Sequence, residues 1–268
     1  MGRLDGKVAI VTGAGRGIGR GIALAFGREG AKVVVVSRSE DSVGKVVNAI
    51  RGGGGTATGV SIDVGDRAQV NRMVEEATRT FGHANILVNN AQSWGRPGKS
   101  AGTPSLVGVE TYPEEEWDYT FQTGVKASLY SMQAAFSGMK ERGWGRIVNF
   151  GSPAAQRGNP LTVAYNANKE AIRALSRTAA LEWAKYGITV NVISPIIATD
   201  AMRATFEARA GGDPDELARI DERIAALSPT GRMGTPEDAG SLATFICSDE
   251  ASYITGMTFM LDGGKSLG

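Results

Sequence analysis

Residues 7–19 read KVAIVTGAGRGIG, and the fold follows from the change of character at Thr12. Before it stands a β-branched run; after it come four glycines within TGAGRGIG (12–19), then an apolar-periodic segment through Phe26. A strand feeding a glycine-rich turn and then a helix sets the helix's opening N–H groups, and its positive dipole end, at the strand's C-terminal edge. Glycine lets the backbone turn tightly there and approach a ligand closely. A pyrophosphate fits that turn, so Gly13, Arg16, Gly17, Ile18 and Gly19 are its expected cradle, and a dinucleotide its expected owner.

The same rhythm continues along the chain. KVVVV (32–36), TGVSI (58–62), NILVN (85–89), RIVNF (146–150), TVNVI (189–193) and MTFML (257–261) are short β-rich runs separated by helical patterns. Strands covered on both faces read as continuous apolar runs, and this alternation belongs to a parallel sheet. The pattern predicts one α/β domain over residues 1–268, with helices on both faces of a doubly wound sheet. Helix starts are marked by Asp66 with Gln69 as a capping box, by Thr235-Pro236-Glu237-Asp238, and by Pro113 before three glutamates. Two stretches break the alternation. Residues 93–110 are rich in Gly, Pro and Ser and form a surface excursion. Residues 196–230 carry helical patches broken by Gly211, Gly212 and Pro214, and read as a substrate lid or a surface insert.

Composition removes several classes of function. The 29 basic and 28 acidic residues nearly cancel over 268 positions without long runs of one sign, which leaves no electrostatic footprint for nucleic acid or anionic lipid. A small molecule, or other copies of the chain, are the expected partners. One cysteine, Cys247, and one histidine, His83, exclude an internal disulfide framework and argue against a metal cluster or a Ser-His-Asp triad. No apolar run reaches the ~18 residues that span a bilayer, and MGRLDGKV lacks a signal-peptide pattern, so the expected location is the cytoplasm.

After the second run the chain places Ser37-Arg38 where NAD-binding proteins usually offer an acid to the ribose 2′-hydroxyl. Arg38 and Arg16 can grip a 2′-phosphate with charge-assisted bonds, which favours NADP over NAD unless Arg38 simply points into solvent.

TGAGRGIG, NNA (89–91), Ser152 and the YNANK stretch with Tyr165 and Lys169 together resemble the short-chain dehydrogenase/reductase family, over nearly the whole chain. The resemblance implies a single-domain Rossmann fold with a seven-stranded doubly wound sheet, Asp63-Val64 flanking the adenine, and Asn90 beside the cofactor. It also implies Ile197 and Thr199 at the nicotinamide amide, Lys169 on the nicotinamide ribose, and association into dimers or tetramers through the fourth and fifth major helices. The chemistry can be argued from the residues. A carbonyl that accepts hydride needs a proton donor, and the reverse oxidation needs a base at the same place. Tyrosine titrates near ~10, and a cation within about 4–6 Å favours its phenolate; Lys169, one helical turn from Tyr165, supplies that cation. Ser152 would hydrogen-bond the substrate oxygen.

The sequence departs from the family pattern in three places. Gly124 stands where the family usually has an asparagine that kinks the helix and positions a water linking the lysine to solvent. Glycine leaves room for a further water, or a place for Gln122 to fill, or a slow or idle site. NNAQ replaces NNAG, so Gln92 either donates to a substrate oxygen or caps the strand end. SPIIATD (194–200) lacks the usual glycine and sets Thr199 four positions after Pro195 instead of five. Trp94, Met202 and Phe206, with Gln92, suggest a largely apolar substrate pocket with few polar anchors. The leading expectation is an NADPH-dependent carbonyl reductase or alcohol dehydrogenase on a hydrophobic or aromatic substrate. A nucleotide-sensing or structural protein that lost turnover is the rival, and a cofactor-free lyase the third.

Overall fold

The computed structural model describes residues 2–93, 106–198, 207, 210–226 and 228–267. Trp94, Thr199, Met202 and Phe206 lie outside them, as does most of the 93–110 excursion.

Seven strands form one parallel sheet in the order β3-β2-β1-β4-β5-β6-β7. They are β1 (Val8–Thr12), β2 (Lys32–Ser37), β3 (Thr56–Ser61), β4 (Ile86–Asn89), β5 (Gly145–Phe150), β6 (Ile188–Pro195) and β7 (Thr258–Leu261). The helices are α1 (Gly17–Arg28), α2 (Glu40–Gly52), α3 (Arg67–Phe81), α4 (Glu114–Phe121), α5 (Ala127–Arg142), α6 (Pro153–Arg157), α7 (Val163–Trp183), α8 (Pro214–Ala225) and α9 (Pro236–Cys247).

Alternate residues of each strand face opposite layers. Ala9, Val11, Val33, Val35, Ile86 and Val88 join Phe26 of α1 and Ile246 of α9 in one core, whereas Ile10, Val34 and Leu87 join Met73 of α3 and Met132 of α5 in the other. That two-sided burial is why the central strands are continuous apolar runs. The edge strand β3 is different: Ala57 alone is buried and its other residues are partly or fully exposed, because a single neighbouring strand covers it. The helices α1 and α9 approach through Gly21 and Gly240, where a Cβ on Gly21 would come within 2.4 Å of the Pro236 carbonyl oxygen.

Helix boundaries follow side-chain chemistry. Thr235 and Asp238 form a reciprocal capping box with Pro236 in the first turn of α9. Asp66 accepts from the Ala68 and Gln69 N–H groups, but the second half of its expected box goes elsewhere: the Gln69 Oε1 accepts from the Asp63 N–H at 3.0 Å. Pro214 opens α8 instead of breaking a helix, since a first-turn proline has no intrahelical N–H bond to lose.

The chain runs from β1 outward to β3 and then returns to the other side of β1 through β4. The C-terminal ends of β1 and β4 therefore flank the topological switch, where open α/β sheets receive ligands. His83 precedes β4 at the opposite edge of the sheet, which removes it from any catalytic triad there.

Candidate active site

At the switch, the glycine turn is braced from β4. The Asn90 Nδ2 donates to the carbonyls of Thr12 (3.0 Å) and Gly13 (3.2 Å), and the Thr12 hydroxyl accepts from the N–H groups of Asn90 and Ala91. Gly13 has φ +66, and a Cβ there would lie 2.7 Å from the Asn90 amide; one on Gly19 would lie 2.5 Å from it. The glycines thus serve close approach as well as the turn. Arg16 caps α1 with extended backbone and is exposed. Ser37, at the end of β2, lies against Gly15, and Arg38 is held by a 3.2 Å hydrogen bond from its Nη1 to the Tyr119 hydroxyl. Tyr119 was not legible as part of the site, because α4 reaches β2 only in three dimensions. Asp63 accepts from the Gly65 N–H, and its own N–H is taken by Gln69, so the Asp63-Val64 turn has a fixed shape. A bare cradle at the start of α1, with two arginines beside it, suits a phosphorylated dinucleotide.

The C-terminal ends of β4 and β5 are locked to α7 by a buried polar chain. Asn89 donates to Asn149 at 2.9 Å, and Asn149 donates to the Ser176 hydroxyl at 2.8 Å. Ser152 follows β5 as the N-cap of α6, accepting from the Ala154 N–H at 3.2 Å. Tyr165, in the first turns of α7, is hydrogen-bonded to Ser152. Lys169 lies one turn further along, fully within the protein; its Nζ is 5.8 Å from the centre of the Tyr165 ring and donates to the Phe150 carbonyl at 2.9 Å. Ser152, Tyr165 and Lys169 are therefore brought together. Ile197 is buried just past β6, bridged to Gly234.

The electrostatics correct one expectation. Lys169 does not draw the phenol down; burial pushes Tyr165 above its usual value, and the Ser152 bond only partly opposes it. Burial also lowers Lys169 from 10.5 to about 7. Desolvation leads both shifts because both groups are withdrawn from water. The phenol accordingly rests protonated, which suits it to give a proton to a reduced carbonyl.

A stability prediction follows from Lys169. The unfolded chain keeps this proton up to about 10.5 while the folded chain sheds it near 7, so folding expels a proton between those values and stability from this group rises with pH across that window. In cofactor-free melts from pH 6 to pH 9, the wild type should gain several °C on Lys169→Met, at about 2–4 °C per kcal/mol for a chain of this size. Parallel curves would mean that the amine is hydrated.

The question posed by Gly124 has a definite answer. Residues Gln122–Lys126 form a π-helical turn between α4 and α5, so the helix is distorted there without an asparagine. Gln122 does not take the place beside Gly124: it donates to the Gly65 carbonyl, and the Asn168 carboxamide of α7 packs on Gly124. A Cβ at position 124 would fall 2.2 Å from the Asn168 Nδ2. Gln92 does not cap its strand end, since both its Oε1 and Nε2 are buried with no hydrogen-bond partner. The next residue, Ser93, exchanges hydrogen bonds with the Thr123 hydroxyl in the π turn. No described helix is long and apolar enough to cross a membrane.

Comparisons with known proteins agree with this geometry. The profile of a family described as enoyl-(acyl carrier protein) reductase matches residues 13–266. The short-chain reductase protein NovJ of Streptomyces niveus is 36% identical over 97% of this chain and 94% of its own length. Sorbitol dehydrogenase of Cereibacter sphaeroides is 35% identical over 98% of both. Among solved structures, L-sorbose reductase from Gluconobacter frateurii, complexed with NADPH and L-sorbose, superimposes with a TM-score of 0.89 at 31% identity, covering 99% of this chain and 98% of that one.

Proposed function

The chain belongs to the short-chain dehydrogenase/reductase family, an oxidoreductase of the alcohol/ketone type, and from that premise we propose that it is an NADP(H)-dependent enzyme interconverting a ketone and a secondary alcohol. The observation that carries this reading is the Ser152–Tyr165–Lys169 arrangement at the C-terminal edge of β5, with the phenol bonded to the serine and the buried amine one turn behind it.

NADPH, when bound, supplies the hydride. The glycine turn and the start of α1 would hold its phosphates, and Arg16 and Arg38 would take the 2′-phosphate, with Ser37 adding a hydroxyl. Ser152 donates to the carbonyl oxygen and shares the charge that develops on it. Tyr165 gives its phenolic proton to that oxygen, and in the oxidative direction takes it back. Lys169 stands one turn behind the phenol and, in its protonated form, would offset the charge of the phenolate while the proton is away, although burial keeps the resting phenol above its usual value.

The substrate is an apolar ketone or alcohol, hydrophobic or aromatic, with Gln92 as a polar anchor. Its amide offers a donor and an acceptor that no protein group uses, and buried polar atoms in that condition cost ~1–3 kcal/mol each unless a ligand pairs them. Fluorescence titration with NADPH and NADH, followed by absorbance at 340 nm with a panel of aromatic, aliphatic and polyol ketones, tests the whole reading, with ~340 nm taken as the dihydronicotinamide band that reports hydride transfer. Tight NADPH binding with turnover of the apolar ketones is expected. Binding without turnover of any ketone would favour the nucleotide-sensing alternative, and turnover of polyol ketones alone would overturn the apolar pocket.

A further inference from the structure

Two helical segments meet beside the Tyr165–Lys169 turn, and the contact is made by a carboxamide. The π turn at Gln122–Lys126 departs from the regular α-helical ladder, and the Val125 N–H donates to the Asn168 Oδ1 at 2.8 Å. Asn168 is 0% exposed, and its Nδ2 has no partner. The side chain lies flat against Gly124, closely enough that residue 124 can carry no side chain while Asn168 is present. On the opposite side of the same turn, Thr123 binds both the N–H and the carbonyl of Ser93, two residues beyond Ala91 at the switch.

We propose that Asn168 is a positioning residue for the proton-transfer pair: its carboxamide, entering the space that Gly124 leaves, fixes the π turn against α7 and offers its Nδ2–H to a water held beside Lys169. This rests on the roles assigned above to Tyr165 and Lys169. Residues three and four positions apart share a helix face, so Asn168 and Lys169 both lie one turn from Tyr165. A shift of the π turn is thus a shift of that turn of α7. A buried amide N–H needs an acceptor, and the Lys169 Nζ is turned to the Phe150 carbonyl instead. Water can accept from such a donor and pass its own protons onward, which gives the proton taken from Tyr165 a way to be replaced.

The test uses the full chain and the most reactive ketone of the panel. Asn168→Ala should lower kcat by about ten- to a hundredfold, as expected for loss of support to proton transfer, with the KM for NADPH within about threefold. Its solvent isotope effect on kcat should exceed that of the wild type, since proton delivery becomes slower than hydride transfer; a purely structural loss leaves that ratio unchanged. Gly124→Asn alone should fold poorly or lose most activity, because two side chains then claim one space. The pair Gly124→Asn with Asn168→Ala returns a carboxamide from the other helix and should recover the melting temperature and most of the lost turnover, also where Asn168→Ala alone fails to fold. Wild-type turnover in Asn168→Ala, or a double variant no better than the single ones, would overturn the proposal. Tyr165→Phe, run alongside, separates the two levels: if it keeps its turnover, the acid assignment has failed; if it is inactive while Asn168→Ala is unaffected, only the role of Asn168 has.

Discussion

Tyr165→Phe should leave NADPH affinity within about threefold of the wild type while ketone turnover falls by a factor on the order of a hundred to ten thousand, the range that a positioned acid supplies. The phenylalanine keeps the ring, its packing in the first turns of α7 and its 5.8 Å separation from the Lys169 ammonium. What is lost is the hydroxyl, together with its bond to Ser152. Because that loss is felt only as the carbonyl oxygen gains charge, kcat and kcat/KM should fall together. Single-turnover absorbance with saturating NADPH is the measurement. A variant that turns over like the wild type would show that the proton comes from elsewhere, and the reading of this site would have to be abandoned. Ser152→Ala should fall by a smaller factor, since it withdraws one donor and leaves the acid.

Removing both arginines at the cradle, Arg16→Ala with Arg38→Ala, should weaken NADPH by roughly a hundred- to ten-thousandfold and leave NADH within about threefold. Each charge-assisted bond to a phosphate contributes ~1.5–3 kcal/mol, and the additional phosphate of NADPH is the only group that distinguishes the two cofactors. Both residues are exposed, so the loss should not disturb folding. Tyr119→Phe removes only the hydroxyl that holds Arg38 at 3.2 Å and should cost NADPH a few-fold. Fluorescence titrations with the two cofactors give all of these numbers. Equal losses for NADPH and NADH would mean that the arginines shape the turn instead of reading the 2′-phosphate.

What the sequence made legible was local. The alternation of short β-rich runs with helical patterns anticipated all seven strands; in the central ones a strand covered on both faces is apolar along most of its length, and that constraint is written residue by residue. The turn after β1 was legible for a related reason: glycine is demanded where the chain lies too close to its neighbours for a Cβ, as Gly13 and Gly19 lie to the Asn90 side chain. The pairing of Tyr165 with Lys169 needed only the period of a helix.

Contacts between elements distant in the chain were left to the tertiary structure. Spacing alone suggested that Lys169 would lower the phenol, but depth of burial reverses that direction, and burial is a property of everything packed around α7. Gly124 read as a missing side chain, with water or Gln122 as its replacement. Only the fold could show that Asn168, forty-four residues further on, fills the space from the facing helix, and that Gln122 is turned toward Gly65. The sequence thus determined which segments are strands and helices and where the glycine turn lies, since those depend on short-range sterics and periodicity. Which amide stands beside the Tyr165–Lys169 turn, and how far water is kept from it, was decided when α7 met the π turn, because desolvation and close packing arise only when distant segments enclose the same space.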